Sequence, residues 1–400
     1  MEHTSKDIIG KKSTRLEGKR ICLCVTGSVA AVRSPDIARE LMRNGAEVYC
    51  AMSEAAQKLV GKDLLHWATG NEVVTELTGK CEHISLAGEH KGKVDLVLVA
   101  PATANTIGKA ANGIDDTVVT TILATAIGSR IPIVLVPAMH ASMHNSLFEE
   151  NAAKLQKHAN AKFVMPRFEE GKAKIAEVEE IVDYCMRELL GKELAGKRVL
   201  VTAGATREYI DDVRFISNAS SGKMGLAFAR EAWLRGADVV VVKGHCDVQF
   251  PGHLQTIDAE GISEMREAVL EQVKRCDIAF MAAAVGDFLV SEKQSGKIDS
   301  EKNSELLVGL KRAPKIVSEM KKANPKCKLV VFKAEWDTSE EELAMRALER
   351  IGDADFIIGN DIAKHEFGDE ESEVIVLGDG TKRKLSGRKE GIAEKVLDSI

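Results

Sequence analysis

Short apolar segments alternate with longer amphipathic ones along the chain, and this alternation predicts strands and helices in turn. In the first half the predicted strands are Arg20–Val25, Glu47–Met52, Val94–Ala100 and Ile131–Val136. The last of them contains the run P-I-V-L-V, as expected of a strand that is buried on both faces of a parallel sheet. A helix is predicted over Ser34–Asn44, with Pro35 in its first turn and Gly45 just past its end. Further helices are predicted over Thr117–Ile127 and Glu177–Leu190.

The same pattern begins again after residues 191–196, a short, charged and glycine-flanked segment that we interpret as a linker. The predicted strands of the second half are Arg198–Ala203, Asp238–Lys243, Asp277–Ala283, Lys328–Phe332 and Asp355–Asn360. A helix is predicted over Met224–Arg235 and a late β-hairpin over Val374–Leu385, around the turn G-D-G. The polar, aperiodic stretch Gly286–Glu305 is predicted to be a mobile loop.

Two series of alternating elements predict an α/β fold of two doubly wound parallel-sheet, Rossmann-like domains. We expect the first domain to span residues 1–190 and the second residues 197–400. Ligands of such sheets bind at the carboxyl ends of the strands. Two domains of this kind on one chain suggest two linked activities.

Composition and charge exclude several classes of partner. The 400 residues are 44% hydrophobic and 29% charged with a net charge of −6, and no basic stripe argues for nucleic acid. The first 19 residues are polar, and no apolar run has the length of a membrane span, so we expect a cytoplasmic protein without a membrane partner. The eight cysteines form no C-x-x-C pair, which argues against zinc and dithiol chemistry.

Three loops of the first half follow predicted strands and are rich in small or hydrogen-bonding residues. Their sequences are G-S-V-A-A at 27–31, P-A-T-A-N-T at 101–106 and P-A-M-H at 137–140. Because the carboxyl ends of parallel strands meet at one edge, the three loops should converge on a single crevice. Small residues there let a phosphate approach backbone N–H groups at a helix N-terminus. The three loops together predict a cofactor site.

The first half resembles the flavin-containing cysteine decarboxylases in G-S-V-A-A, in M-S-E-A-A at 52–56, in E-H-I-S-L at 82–86 and in P-A-T-A-N-T-I-G-K-A-A-N-G-I-D-D at 101–116. The resemblance implies a flavodoxin-like fold, bound FMN, a trimer with the site between subunits, and His83 as the catalytic base. It places Gly27, Ser28, Ser53, Thr103 and Asn105 against FMN. It places Asn112, His140, Met143, Lys172 and Lys174 against the substrate.

Two positions depart from the pattern of that family. The family usually has Asn where this chain has His140, and a histidine can also donate a hydrogen bond to the substrate carboxylate. Many members carry a cysteine in a late substrate flap, whereas the matching stretch Phe163–Ala176 has none, and Lys172 and Lys174 are the candidate replacements.

The second half resembles phosphopantothenate–cysteine ligase over nearly its whole length. The matching strings are T-A-G-A-T-R-E at 202–208, I-S-N-A-S-S-G-K-M-G at 216–225, A-A-V-G-D-F at 283–288, G-K-I at 296–298 and G-N-D at 359–361. A phosphate-binding P-loop would need Ser or Thr after Gly222-Lys223, and Met224 stands there. The resemblance implies that 4'-phosphopantothenate is joined to cysteine through an acyl-nucleotidyl intermediate formed from CTP, with Mg²⁺ bridging the phosphates.

By the same resemblance, Asn218 polarises the acyl carbonyl and Lys297 binds the α-phosphate. The residues expected around the nucleotide are Met281, Ala282, Ala283, Asp287, Ala313, Pro314, Lys315, Ile316, Phe332, Arg346 and Arg350. Ser221 and Lys223 are expected at the substrate. No metal-binding protein residues are expected.

The two resemblances together predict a bifunctional coenzyme A biosynthesis enzyme. Its second half would make phosphopantothenoylcysteine and its first half would decarboxylate that product to 4'-phosphopantetheine. The expected partners are the small-molecule substrates and further copies of the chain, as trimers of the first domain and dimers of the second. Whether the assembly is a trimer or a larger particle such as a dodecamer stays open. The choice between CTP and ATP stays open. One alternative is a ligase whose first domain only binds FMN and oligomerises, and another is an NAD(P)-linked oxidoreductase, which the lack of G-x-G-x-x-G disfavours.

Overall fold

The chain folds into two units, Met1–Gly191 and Lys192–Ile400. The computed structural model describes residues 3–159, 161–169, 172–299, 301, 305–339, 341–342, 345, 354–363 and 368–400. Among the helices in these ranges, none combines the length and the apolar character needed to cross a membrane.

The first unit is built from nine strands and eight α-helices in its described residues. The strands are β1 (Arg20–Val25), β2 (Glu47–Met52), β3 (Val73–Val74), β4 (Leu96–Ala102), β5 (Ile133–Pro137), β6 (Met139–His140), β7 (Ala161–Phe163), β8 (Arg167–Glu169) and β9 (Lys172–Lys174). The helices are α1 (Ser34–Arg43), α2 (Glu54–Gln57), α3 (Lys62–Thr69), α4 (Glu82–Ala87), α5 (Ala104–Ala111), α6 (Val118–Gly128), α7 (Ser146–His158) and α8 (Val178–Leu189). Short 3₁₀ helices cover Thr4–Ile8, Val29–Arg33 and Ala141–Met143.

Six of these strands form a parallel sheet in the order β3-β2-β1-β4-β5-β7. The central strands β1, β4 and β5 are almost entirely buried, which explains their unbroken apolar sequences. Leaving aside the two-residue edge strand β3, the order is that of flavodoxin-like folds. The direction of winding changes between β1 and β4, so the crevice for a ligand lies beyond the carboxyl ends of those two strands.

The remaining three strands of the first unit form a small antiparallel sheet, β6-β9-β8. In its register Met139 is opposite Ala173 and His140 is opposite Lys172. The stretch expected to be the substrate flap therefore pairs by its backbone with the loop that follows β5.

The second unit contains twelve strands and four α-helices among the residues described. Its strands are β10 (Arg198–Ala203), β11 (Arg207–Tyr209), β12 (Phe215–Ser217), β13 (Asp238–Lys243), β14 (Gln255–Asp258), β15 (Ile278–Met281), β16 (Phe288–Val290), β17 (Leu310–Arg312), β18 (Lys328–Glu335), β19 (Phe356–Asp361), β20 (Glu371–Gly378) and β21 (Thr381–Arg388). Its helices are α9 (Lys223–Leu234), α10 (Ile262–Val273), α11 (Ile316–Ala323) and α12 (Lys389–Leu397).

Eight of these strands form one sheet in the order β14-β13-β10-β15-β18-β19-β20-β21. The pairs from β14 to β19 are parallel, whereas β20 and β21 are antiparallel. The final hairpin is confirmed, and its two turn residues, Asp379 and Gly380, both have positive φ, as a tight hairpin turn requires. The change of winding direction lies between β10 and β15, so the ligand crevice is expected at their carboxyl ends.

The prediction of a loop over Gly286–Glu305 is wrong for Phe288–Val290, which form strand β16. Strand β16 pairs with β17, and the backbone N–H groups of Gln294 and Asp212 bond to the carbonyl oxygens of Ile210 and Gly296. A polar stretch without periodicity is therefore ordered here by cross-links to distant backbone rather than by an apolar face.

The described residues contain no group of three or more side chains placed to hold a metal ion. Cys22, Cys24, Cys50, Cys185, Cys276 and Cys327 are buried, as expected of thiols that fill space in a core.

Candidate active sites

A cavity of about 650 Å³ lies at the carboxyl ends of β1, β2, β4 and β5 in the first unit. It brings together six of the residues predicted from the sequence, namely Gly27, Ser28, Ser53, Thr103, Asn105 and Met143. The three loops singled out in the sequence do converge there, because Ala138 and Met139 from the loop after β5 also line the cavity.

Three hydroxyl groups in this cavity cap helix N-termini. Ser28 accepts a hydrogen bond from the Ala30 N–H, Ser53 from the Ala56 N–H and Thr103 from the Thr106 N–H. The Ser28 and Ser53 hydroxyls keep their own protons available for another acceptor, whereas the Thr103 hydroxyl also shares a hydrogen bond with that of Thr106 at 3.0 Å. Hydroxyl donors together with the N-terminus of α5 make this end of the cavity suited to a phosphate group.

The approach of two loops explains Gly27. A Cβ atom at this position would lie 2.5 Å from the Cβ of Ala55, so only glycine fits between the loops after β1 and β2. A larger residue would push these loops apart and widen the phosphate end of the cavity.

The other walls of the cavity fit the ring system of a flavin. Val29, Ala55, Ala104, Ala138 and Met139 supply small or flexible apolar surface, and the volume lies within the range of cofactor sites. The donors and the apolar wall together match a group that carries both a phosphate and a flat ring.

Two lysines that were not predicted as site residues also line the cavity. Lys58 pairs with Glu54 at 2.9 Å, and both Asp116 carboxylate oxygens accept from Lys109, at 2.9 and 2.8 Å. Lys109 lies within the family string at 101–116, whereas Lys58 lies outside every string that was recognised.

Four of the predicted catalytic and substrate residues of the first unit are not among the described residues that line the cavity, namely His83, Asn112, His140 and Lys174. His83 lies on α4, half-buried, and its Nδ1 atom is buried without a hydrogen-bond partner among the described residues. Asn112 ends α5 and donates to the Gly108 carbonyl at 2.8 Å and to Asn151 at 3.2 Å. His140 is exposed and accepts from the Ser142 N–H. Lys172 and Lys174 lie on β9, where Lys172 is opposite His140 in register.

The second unit has a cavity of about 350 Å³ at the carboxyl ends of β15, β18 and β19 and the N-terminus of α9. It brings together the predicted residues Asn218, Ser221, Lys223, Ala282, Ala283 and Phe332. Asn360 of the G-N-D string also lines it. Three separate strings of the sequence therefore meet at one cavity.

Two glycines of the S-S-G-K-M-G string hold α9 close to the sheet. Gly222 has φ of +82°, and a Cβ there would lie 2.7 Å from the sulfur of Cys246. A Cβ on Gly225 would lie 2.5 Å from the Cβ of Ala203 at the end of β10. Glycine at these positions lets the first turn of α9 approach the end of β10, and residues 222–225 of that turn line the cavity.

Hydrogen bonds to backbone fix the reacting side of this cavity. The Asn218 amide donates to the Ala284 carbonyl at 3.1 Å, and Thr202 accepts from the Ala283 N–H at 3.1 Å. One amide proton and the Oδ1 atom of Asn218 therefore stay available to a ligand.

Lysines from three parts of the chain meet at the second cavity. Lys223 donates to the Gly368 carbonyl at 2.7 Å and to Glu370 at 2.5 Å, and it holds the pKa of the Glu370 carboxyl below its usual value. Lys389, only 7% exposed, donates to the Asp369 carbonyl. Burial, and then the charge of Lys223, lower the pKa of Lys389. The third, Lys333, pairs with Glu335 at 2.8 Å.

Lys389 and Lys333 line the cavity but were not predicted as site residues from the sequence. Lys389 stands in a charged segment, R-K-E, that has the composition of a solvated turn, and no motif marks it. Its role in the cavity depends on the return of β21 and α12 to the N-terminus of α9.

The other predicted nucleotide residues lie outside this cavity lining. Asp287 pairs with Lys315 at 2.5 Å, and the Ala313 N–H donates to the Asp287 carbonyl at 2.9 Å, which joins the two predicted segments. Met281 is buried on β15, Pro314 precedes α11, and Ile316 is the first residue of that helix. Lys297 is exposed. Arg346 and Arg350 lie outside the described residues.

Both halves of the chain match known protein families. The Flavoprotein family profile matches residues 9–190, and the profile of the DNA/pantothenate metabolism flavoprotein C-terminal domain matches residues 194–400. A coenzyme A biosynthesis bifunctional protein CoaBC of Thermococcus kodakarensis is 48% identical over 408 residues, covering 100% of this chain and 99% of that protein.

The chain belongs to the family of bifunctional coenzyme A biosynthesis proteins. The family member of Methanocaldococcus jannaschii is 40% identical over 402 residues, covering 100% of this chain and 97% of that protein. A crystal structure of the DNA/pantothenate metabolism flavoprotein from Streptococcus pneumoniae is 26% identical with a TM-score of 0.46, and covers 51% of this chain and 97% of that one.

Membership of this family confirms the function predicted from the sequence. The chain is a bifunctional enzyme of coenzyme A biosynthesis, with a flavoprotein decarboxylase domain and a ligase domain. Neither of the alternatives, a ligase alone or an NAD(P)-linked oxidoreductase, finds support among these relatives.

Proposed function

We propose that residues 197–400 join 4'-phosphopantothenate to cysteine with CTP, and that residues 1–190 decarboxylate the product to 4'-phosphopantetheine with FMN. Residues 191–196 connect the two domains. The observation that carries the ligase half is the single cavity in which Asn218, the N-terminus of α9 and Lys389 meet. A phosphorylated substrate and a nucleotide both need such a set of donors.

In the ligase reaction the carboxylate of phosphopantothenate attacks the α-phosphorus of the nucleotide, and pyrophosphate leaves with the bonding electrons. Lys297 would neutralise the charge that develops on the α-phosphate, and Mg²⁺ that binds with the nucleotide would supply further positive charge there. The cysteine amine then attacks the acyl carbonyl and loses a proton, and the nucleoside monophosphate leaves. The free amide proton of Asn218 donates to the carbonyl oxygen as negative charge builds up there.

We assign the base and ribose of the nucleotide to the segments that Asp287 and Lys315 join. Met281, Ala282 and Ala283 supply backbone groups on one side, and Ala313, Pro314 and Ile316 supply the other. Phe332, which lines the cavity, would pack against the base, and Arg346 and Arg350 would bind phosphates.

In the first domain the hydroxyl groups of Ser28, Ser53 and Thr103 and the N-terminus of α5 would hold the FMN phosphate. FMN supplies a reversible two-electron acceptor, which makes loss of carbon dioxide from a cysteine-derived thiol easy. His83 moves the proton, and His140 donates to the substrate carboxylate.

We further propose that the site of the first domain is completed by a second copy of the chain in a trimer. Supporting this, His83 lies outside the cavity lining of its own copy, and its buried Nδ1 atom has no partner among the described residues. Dimers of the second domain would link such trimers, and the whole assembly would work in the cytoplasm.

The experiment that tests the function is a product analysis by mass spectrometry. The purified chain is incubated with 4'-phosphopantothenate, cysteine, Mg²⁺ and either CTP or ATP. We expect 4'-phosphopantetheine with CTP, together with CMP and pyrophosphate. Accumulation of phosphopantothenoylcysteine would instead leave the chain a ligase with an inactive flavin domain, and no adduct with either nucleotide would overturn the ligase half.

A further inference from the structure

A turn in the second unit is joined by hydrogen bonds and an ion pair to the loop that carries Lys297. The turn, residues 210–214, joins β11 to β12, and the loop, residues 293–298, lies more than 80 residues further along the chain. Residues 291–297 are all exposed, and Ile298 is the buried residue at the end of the loop. The position of the exposed part therefore depends mainly on the polar contacts with the turn.

Asp211 makes the central hydrogen bonds between the turn and the loop. One carboxylate oxygen accepts from the N–H groups of Val213 at 2.7 Å and Arg214 at 2.6 Å. The other accepts from the N–H of Ile298 at 3.1 Å and from the guanidinium of Arg214 at 2.8 Å. The side chain is completely covered, so all of its hydrogen-bonding capacity is spent inside the protein.

Further bonds on the same side lock the neighbouring residues. The Gly296 N–H donates to Asp212 at 2.7 Å, and the Arg214 guanidinium also donates to the Ile298 carbonyl at 3.2 Å. Asp212 in addition pairs with Lys293 at 2.8 Å. The residues on both sides of Lys297 are thus bonded to one turn.

The same turn leads directly to Asn218. Strand β12 follows it, and the Ser217 hydroxyl donates to the Thr206 carbonyl at 2.9 Å before the chain reaches Asn218 at the cavity. The turn therefore connects the backbone on both sides of Lys297 to the segment that ends at Asn218.

We propose that Asp211 is a positioning residue of the ligase, which fixes the backbone around Lys297 relative to Asn218. The inference rests on the proposed role of Lys297 at the α-phosphate. A lysine side chain on an exposed loop has many conformations, and fixing its backbone limits them before the reaction begins. Ionisation of Asp211 supports this arrangement: although burial opposes it, the N–H groups of Ile298, Val213 and Arg214 hold its pKa at about 2.

The test replaces Asp211 by asparagine in the full chain. Because both carboxylate oxygens accept hydrogen bonds, an amide in either orientation turns its NH₂ group toward an N–H donor. We expect kcat for ligation to fall about tenfold to a hundredfold, as for a displaced catalytic group, with the KM for cysteine nearly unchanged. Hydrogen exchange, followed by mass spectrometry, should become faster in residues 294–298.

A double-mutant cycle with Lys297→Gln tells positioning from general loss of structure. If Asp211 acts through Lys297, the double variant should be no slower than Lys297→Gln alone. Multiplied effects of the two changes would overturn the inference while leaving Lys297 in place. A Lys297→Gln variant with full ligation activity would instead contradict the proposed role of Lys297.

Asp277→Asn is the matched control, since this carboxylate also accepts a backbone N–H, from Arg198 at 2.8 Å, at the opposite end of the strands. It should leave the ligation kcat within about threefold of the parent value, as expected of a change far from the site. Denaturant unfolding of each variant shows whether its second unit is folded, since decarboxylation of added phosphopantothenoylcysteine reports only on the first unit. If the asparagine variant does not fold, Asp211→Ser is measured in the same cycle, and a parental ligation rate in it would likewise overturn the inference.

Discussion

At the scale of single residues, the buried Lys389 at the second cavity is the feature that could not be identified from the sequence. Lys389 is buried and donates to a backbone carbonyl, and burial together with the charge of Lys223 lowers its pKa. A group that is costly to keep charged in the free protein, and that lines the proposed phosphate site, gains most when an anion binds.

Replacement of Lys389 by methionine should weaken the binding of a phosphorylated substrate without lowering the free energy of unfolding. We expect the KM for the nucleotide or for phosphopantothenate to rise at least about tenfold, because a hydrogen bond to a charged group contributes about 1.5–3 kcal/mol. Steady-state kinetics with each substrate varied in turn will show which phosphate Lys389 binds. Lys382→Met, at an exposed lysine of the same hairpin, is the control and should leave both KM values unchanged.

The stability of the same variant should depend on pH in a defined direction. Since the pKa of Lys389 is lowered in the folded state, keeping the side chain charged opposes folding at neutral pH. The methionine variant should therefore be at least as stable as the parent near pH 7 in urea denaturation. The difference should shrink as the pH rises toward 10.5, the ordinary value for lysine, because the amine then loses its proton in both states. A variant much less stable at pH 7 would show that the amine's contact with Asp369 outweighs the cost of burial.

At the scale of elements, the close packing of α9 against β10 determines the shape of the ligase cavity. A Cβ atom at residue 225 would lie only 2.5 Å from the Cβ atom of Ala203, so Gly225→Val would overpack this contact. We expect a loss of about 1–3 kcal/mol in the free energy of unfolding, as for other overpacked sites, and a strong loss of ligation. Denaturant unfolding and ligation assays measure the two effects.

Gly391→Ala provides the comparison for that change. Gly391 lies inside α12, and a Cβ there would meet nothing within 4 Å. Alanine should therefore stabilise the helix by about 0.5–1 kcal/mol and leave ligation intact. A Gly225→Val variant as stable and active as this control would contradict the close packing of α9 on β10.

At the scale of the whole molecule, two sites on separate units predict that the two activities can be removed one at a time. His83→Asn should stop decarboxylation and let phosphopantothenoylcysteine accumulate, while Asn218→Ala should stop ligation but still convert added phosphopantothenoylcysteine. Mass spectrometry of the products distinguishes the two outcomes. Unchanged production of phosphopantetheine by the His83 variant would contradict its role as the base.

Many strands of the fold could be predicted because each is marked by a continuous run of apolar residues in its own sequence. The apolar runs of β1, β2, β10 and β13 match the predicted strands residue for residue, since buried parallel strands need continuous apolar sequence. Short strands such as β11, β12 and β16 were not predicted, because three residues carry too little periodicity. Their existence depends on partners elsewhere in the chain.

The sequence by itself determined the two α/β units and the loops at the ends of their strands. Glycine and hydroxyl residues in those loops mark the turns whatever the rest of the chain does. Only the tertiary structure decided which distant polar groups meet: Lys223 with Glu370, and Asp211 with the backbone of Ile298. The physical reason is that hydrogen bonds and ion pairs depend on distances of about 3 Å, which strand order and helix seating fix and which no local pattern encodes.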